Sequence, residues 1–406
     1  MLLREGSKGF AKPCPISLQA QQHHFSYLLF DMPDSDQGNS KIIQQTSLSV
    51  WDALSLVSGF FEKEWAQTDV DNVIIKPVTG GLVNTLYLVS RDNTAHAEPA
   101  AVLIRYFGIS GEVEEPPGGH VVLSAAQQAI VYWEMSRRGW GPSVYGFFPG
   151  GRLEEYIDSH TLTAAESGQP AARRDVARSY ARMHSLQLPL RKDGFEMVVS
   201  ELSQCVKKRH ERALQMLRAI EDPRAREYAA VFRETDWELE LHWVSDLFKK
   251  HNCKRTITHG DANYLNIVVK NSKSGCKIVL IDYETISYSY RGFDIGGHFA
   301  ERMYCYNQPD DHLTGYTLPN DDEQRLFCEA YLQELRHLGQ RLTEQDTVDH
   351  LVLEGKVGRL YQYLWTNLMC TVFNEEVEKD PVFLADLTHM MGMYSELRKN
   401  LRESGL

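Results

Sequence analysis

The sequence predicts a two-lobed α+β protein, with a small amino-terminal lobe built on an antiparallel sheet ahead of a larger, mainly helical lobe. Three features predict it. β-Branched runs broken by glycines crowd the region before residue 150. Apolar residues at helical spacing dominate the chain after it. Within that helical part, only the stretch 256–286 reads as strand. The expected divisions are an extension over 1–45, an amino-terminal lobe over 46–150 and a helical lobe over 151–406, and 406 residues suffice for two units of ordinary domain size.

Residues 1–45 are rich in Gln, Ser, Asp, Gly and Pro and are expected to be loosely ordered, with the apolar stretch 27–30 a candidate to dock on the body. The spacing of Trp51, Leu54, Leu56, Val57, Phe60 and Phe61 predicts a helix over 48–65. Strands follow at 73–78, 85–89 and 101–107, the first two joined by a turn holding Gly80 and Gly81. A helix over 121–138 leads to a strand at 144–148 and, through Pro149-Gly150-Gly151, to a sheet-edge stretch at 153–157 that connects the lobes. Further helices are expected over 171–186, 202–220, 224–250, 322–338 and 347–374.

The composition is that of a folded protein, 43% hydrophobic and 24% charged. A net charge of −12 argues against nucleic acid as a partner and suits a cationic substrate. Seven cysteines are scattered without a C-x-x-C pair, so neither a disulfide framework nor a zinc site is indicated. Arg4, Glu5 and Lys8 interrupt any signal-peptide core, and no apolar run approaches a membrane span. A cytoplasmic protein without a transmembrane segment is expected.

The strongest chemical signal is His259-Gly260-Asp261 with Asn266 five residues beyond the acid, entered and left through apolar strands. Sixteen residues after Asn266, the strand 277–281 delivers Asp282-Tyr283-Glu284. Strand alternation would place both of these carboxylates at one sheet edge, on the same side. Phosphoryl transfer from ATP requires such a set: hard oxygen ligands for Mg²⁺ and a further carboxylate to orient or deprotonate the attacking hydroxyl. The order of acid, asparagine and second acid is that of kinases.

Together with these residues, the stretch 287–301 and the connector 141–154 make the chain resemble the choline/ethanolamine kinase family, in the aminoglycoside-phosphotransferase-like branch of the protein-kinase superfamily. The resemblance spans roughly residues 72–400. It implies a protein-kinase-like fold and ATP-dependent phosphorylation of choline, the first step of phosphatidylcholine synthesis, with Mg²⁺ as cofactor. It assigns Asp261 as the catalytic base, Asn266 and Asp282 as Mg²⁺ ligands with Glu284 on a second ion, and His259 and Asp294 as braces of the loop. Gly80, Gly81 and Asn84 would cover the ATP phosphates, Arg105 would pair with them, and the backbone at Glu155 to Ile157 would meet adenine. A quaternary ammonium is held by aromatic faces and diffuse negative charge. The matching positions are Glu301, Tyr306, Trp365 and Phe383. Family members are often homodimers.

Three departures from the family pattern stand out. Leu368 replaces a tryptophan, which should weaken cation binding by roughly 0.5–2 kcal/mol. Gln128 occupies the helix position that ordinarily carries a glutamate partner for Arg105, so a hydrogen bond is expected where the family has an ion pair. Val83 replaces a serine in the phosphate turn. Leu368 leaves ethanolamine open as the alternative substrate; Gln128 and Val83 leave open a weakly active scaffold that keeps the fold.

Overall fold

A computed structural model describes residues 48–405 apart from 79–83, 93–96, 108–122, 220, 222, 273–276, 307, 309–310, 314 and 374–380. The extension, its stretch 27–30, and Gly80, Gly81 and Val83 therefore lie outside the described residues.

Helix α1 (Val50–Ser58) starts where the Ser49 hydroxyl accepts the Asp52 N–H. It stops well short of the expected residue 65: Gly59 follows, and the chain turns into a short 3₁₀ segment at Trp65–Gln67. Phe60 and Phe61 reach the sheet from this turn and not from a helix face. The strands β1 (Val73–Val78), β2 (Thr85–Arg91) and β3 (Ala101–Tyr106) precede helix α2 (Ala125–Arg137), which is held by a Ser124/Gln127 capping box. Strands β4 (Val144–Phe148) and β5 (Gly151–Glu155) complete an antiparallel sheet of order β1-β2-β3-β5-β4. Val102, Ile104 and Leu153 face Ala53, Val57 and the fully buried Trp65 in one core cluster. Alternation therefore turns Arg105, Arg152 and Glu154 to the opposite face of the sheet.

The remainder is mostly helical: β6 (Ser159–Thr161), α3 (Ala164–Ser167), α4 (Pro170–His184), α5 (Gly194–Ala219), α6 (Pro223–Glu234) and α7 (Trp237–Lys250), then β7 (Arg255–Thr258), β8 (Ile267–Lys270), β9 (Ile278–Leu280) and β10 (Ser287–Tyr290), and last α8 (Gly292–Glu301), α9 (Asp321–His337), α10 (Val348–Phe373) and α11 (Pro381–Glu403). The helix expected over 224–250 is two helices, because the Asp236 carboxylate caps a new start by accepting the Leu239 N–H. Strands β6 and β10 lie outside the expected strand region; β6 pairs with β8, and β10 pairs with β7. Helix α11, absent from the sequence reading, buries Leu384, Leu387, Met391 and Tyr394 at helical spacing.

Helices α8 and α10 meet backbone to backbone. A Cβ added to Gly358 would lie 1.7 Å from the Gly292 carbonyl oxygen, and one on Gly296 would lie 2.3 Å from that of Gly355. The same junction is tied by the fully buried Arg291, which pairs with Asp346 at 2.6 Å and Glu354 at 2.7 Å, while Lys254 reaches Asp346 at 2.7 Å. Removing one member of such a network strands a buried charge. Among the described residues, no helix is long and apolar enough to cross a membrane.

Candidate active site

Strand β7 ends at Thr258 and releases the loop of His259, Gly260 and Asp261. Asp294, in the first turn of α8, accepts the backbone N–H of His259 at 2.6 Å and of Gly260 at 3.0 Å, and pairs with His184 Nε2 at 2.9 Å. Burial opposes its charge, but these hydrogen bonds hold the carboxyl below its ordinary range. Gly260 has φ +81°, and a Cβ there would lie 2.5 Å from the Thr285 carbonyl oxygen, so only glycine fits. His259 Nε2 donates to the Ile281 carbonyl at 2.8 Å, and the Thr285 hydroxyl donates to the His259 carbonyl at 2.9 Å. These bonds stitch the two acid-bearing loops together.

Asp261 accepts the Asn263 N–H at 3.1 Å on one oxygen and Asn266 Nδ2 at 2.9 Å on the other. Burial pushes its carboxyl up, and the nearby charge of Asp282 adds to the rise. Asp282 and Glu284 do not follow strand alternation, because β9 already ends at Leu280. Asp282 instead has φ +65°, a left-handed conformation rare for a non-glycine residue, and this turn aims its side chain. Its Oδ1 is buried without a hydrogen-bond partner. Glu284 is pushed up to about 7 by burial and then by Asp282, and accepts a hydrogen bond from the Asn84 side-chain amide.

A buried acid beside a half-buried one whose Oδ1 is buried and orphaned is unfavourable unless a cation joins them. The described residues contain no group of three or more His, Cys, Asp or Glu fit to hold a metal ion. The set here is two carboxylates and the Asn266 amide. Mg²⁺ is commonly held by one or two carboxylates, with phosphate oxygens and water completing its shell, so the donors fit that ion.

The expected hydrogen bond between Gln128 and Arg105 is not made. Gln128 Nε2 donates to the Leu123 carbonyl at 2.9 Å, and its Oε1 is buried without a partner. Arg105 nevertheless has an ion pair, through Nη2 to Glu154 of β5 at 3.0 Å. The carboxylate that pairs with Arg105 comes from the sheet, one diagonal away across the β3–β5 ladder. At the connector, the Glu155 N–H donates to the Ser143 carbonyl at 2.8 Å and its carboxylate accepts the Ser143 N–H at 2.9 Å. Ile157 lies just beyond β5, outside regular secondary structure.

Glu301 ends α8, and Tyr306 donates its hydroxyl to Glu301 at 2.9 Å. The Tyr306 ring stacks on Tyr264 at 5.2 Å and meets His312 edge-on at 5.3 Å. Burial pushes Glu301 up to about 8; the Tyr306 hydrogen bond opposes the rise, while Asp261 and Asp386 add to it. Trp365 is half-buried, edge-on to Phe293 at 6.3 Å, and lines a narrow recess with Gly260, Thr285 and Tyr361. Phe383 is 1% exposed in the helical core, and Leu368 is wholly buried there. The sequence alone assigns no role to Glu154, Arg152, His184, Tyr264 or Thr285. The alternation of Arg152 and Glu154 around Leu153, two charges on one strand, was the available signal for the first pair.

The sequence model of the family described as choline/ethanolamine kinase matches residues 75–380, three quarters of the chain. The chain belongs to the choline/ethanolamine kinase family. A rat choline/ethanolamine kinase is 26% identical over 323 residues, covering 76% of this chain and 77% of the relative. A probable ethanolamine kinase of Arabidopsis thaliana is 23% identical over 337 residues, covering 83% and 82%. Among solved structures, a choline kinase of Cryptosporidium parvum superposes with a TM-score of 0.64 at 17% identity, over 88% of this chain and 97% of that one. The similarity extends to a Plasmodium vivax ethanolamine kinase, with a TM-score of 0.55 at 16% identity over 90% and 97%. These likenesses establish a protein-kinase-like fold, and the family is one of ATP-dependent phosphotransferases acting on choline or ethanolamine.

Proposed function

We propose that this protein transfers the γ-phosphoryl group of ATP to the hydroxyl of choline. The observation that carries the reading is the joining of the Asp261 loop to the Asp282–Glu284 loop. Glu301 with its Tyr306 hydrogen bond, and Trp365 in the recess beside Gly260, are the residues assigned to the acceptor in this reading. Asp261 orients the alcohol and takes its proton. Asn266, Asp282 and Glu284 would hold Mg²⁺, which when bound neutralises phosphate charge. Arg105 and Asn84 engage the phosphates, and the connector from Glu155 to Ile157 meets the base. The parts before and after residue 150 act as nucleotide and catalytic lobes, with β5 shared between them. The ion pair from Glu154 to Arg105 supports an active enzyme over a scaffold, because it replaces the contact that Gln128 lacks.

Choline is preferred because the half-buried Trp365 ring borders the recess beside Gly260, and an aromatic face attracts a cation that donates no N–H hydrogen bond. Ethanolamine is the second reading, favoured by Leu368, which lies in the core and contributes no aromatic face. Initial rates with a panel of amino-alcohols, ATP and Mg²⁺ separate the two; a large kcat/KM preference for ethanolamine overturns the choice.

Trp365→Ala is expected to raise the KM for choline about five- to thirty-fold, from an aromatic–cation contact of roughly 1–2 kcal/mol, with the KM for ATP little changed. An unchanged choline KM removes Trp365 from the pocket. A pH dependence follows from Glu301. Its raised pKa, about 8, leaves the acid largely neutral at pH 6.5 and ionised above pH 8.5. Only the ionised form attracts an ammonium group, so the choline KM should fall as pH rises through that interval. In Glu301→Gln this fall should vanish; its persistence assigns the titration elsewhere.

A further inference from the structure

Strand β5 carries a charged arrangement that the roles above leave unused. Arg105 and Arg152 stand directly opposite each other across the β3–β5 ladder, and Glu154 lies on the same face, opposite Leu103. Like charges placed opposite one another on a sheet are destabilising unless an anion intervenes. Glu154 intervenes with both oxygens. Its Oε1 accepts Arg105 Nε at 3.1 Å and lies 3.0 Å from Nη2 in an ion pair, while its Oε2 accepts Arg152 Nε at 2.6 Å. Arg152 is wholly buried, and its guanidinium carbon lies 3.5 Å over the Tyr132 ring. Its Nη2 nevertheless has no hydrogen-bond partner. The clasp therefore holds two cations against one anion, with the Nη2 amino group of the inner cation unanswered. The charges it acts on are those of Asp282 and Glu284.

We propose that Glu154 and Arg152 are positioning residues for the nucleotide phosphates: the shared carboxylate fixes the Arg105 fork toward the phosphates, and Arg152 supplies the surplus positive charge behind it. This rests on the kinase reading and names further residues for its nucleotide site. The ligand is the polyphosphate of a nucleoside di- or triphosphate. A fixed planar fork loses less freedom on meeting phosphate than a mobile one. The sheet thereby holds the arginine in a fold whose helix offers only Gln128. Gln128 lies one turn before Tyr132 on the buried side of α2, and Tyr132 is within electrostatic reach of Arg105, so a carboxylate at 128 could act on the same group.

The test is ADP binding by calorimetry without added metal, alongside steady-state kinetics and melting curves. In Glu154→Gln, the ADP Kd and the ATP KM should each rise about tenfold, with the amino-alcohol KM within about twofold of wild type. Adding Gln128→Glu to that variant should recover most of the ADP affinity. Arg152→Lys keeps the charge but not the fork, and should retain more ADP affinity than Arg152→Met. A folded Glu154→Gln protein with unchanged ADP Kd overturns the proposal, as does an equal rise in both substrates' KM. Should Glu154→Gln fail to fold, the Arg152 pair decides: equal ADP affinity in the two variants overturns the role of Arg152. Wild-type protein that binds ADP but phosphorylates no amino-alcohol overturns the acceptor assignment and leaves the clasp standing; wild type that binds no ADP overturns both.

Discussion

Asp282→Asn is expected to abolish Mg²⁺-dependent phosphoryl transfer while the protein stays folded. The amide keeps the size of the side chain but removes the charge that would hold the ion, and a divalent cation depends on that charge for most of its attraction. Little internal bonding is at risk, because Oδ1 of Asp282 has no hydrogen-bond partner in the fold. The loss of charge also relieves its repulsion with Glu284, whose acid is raised partly by Asp282. The melting temperature should therefore hold or rise as turnover disappears. Near-normal rates at ordinary Mg²⁺ concentrations would count against the metal assignment.

Asp261→Ala should lower kcat by about 10²–10⁴-fold, the range for loss of a positioned general base, and leave the ATP KM within a few-fold of wild type. The separation arises because, among the described residues, the hydrogen bonds of the Asp261 carboxylate stay within its own loop, to the Asn263 N–H and the Asn266 amide. The nucleotide contacts proposed for Arg105 and the connector do not pass through it. The decisive measurement is kcat with saturating ATP and amino-alcohol, corrected for background ATP hydrolysis. Equal rates in wild type and variant would support a scaffold in place of an enzyme.

Much of this arrangement was legible in the chain because it is local. Asp261 and Asn266 share one short loop, and the strands at 73–78, 85–89 and 101–107 follow from apolar runs bounded by polar and glycine-rich stretches. What the sequence hid was decided between distant segments. Glu154 partners Arg105 from 49 residues away, across a strand register that no periodicity reveals. Asp282 and Glu284 looked like neighbours on a strand, yet a left-handed residue sets their direction. The helix over 224–250 broke because a single aspartate, Asp236, found an N–H to accept. Trp365 and Leu368 are three residues apart on one helix, and only packing turns one to the recess and the other into the core.

The glycine contacts between α8 and α10 bear on how such a protein could move. Side-chain layers slide by changing rotamers, but main chains in direct touch have no such play. Because α8 also grips the His259–Gly260 amides through Asp294 and ends in Glu301, while α10 carries Trp365, the residues proposed for the acceptor and the loop proposed to take its proton travel as a single piece. Any breathing that admits and releases nucleotide is then left to the sheet that bears Arg105, so that opening for one reactant need not loosen the grip on the other.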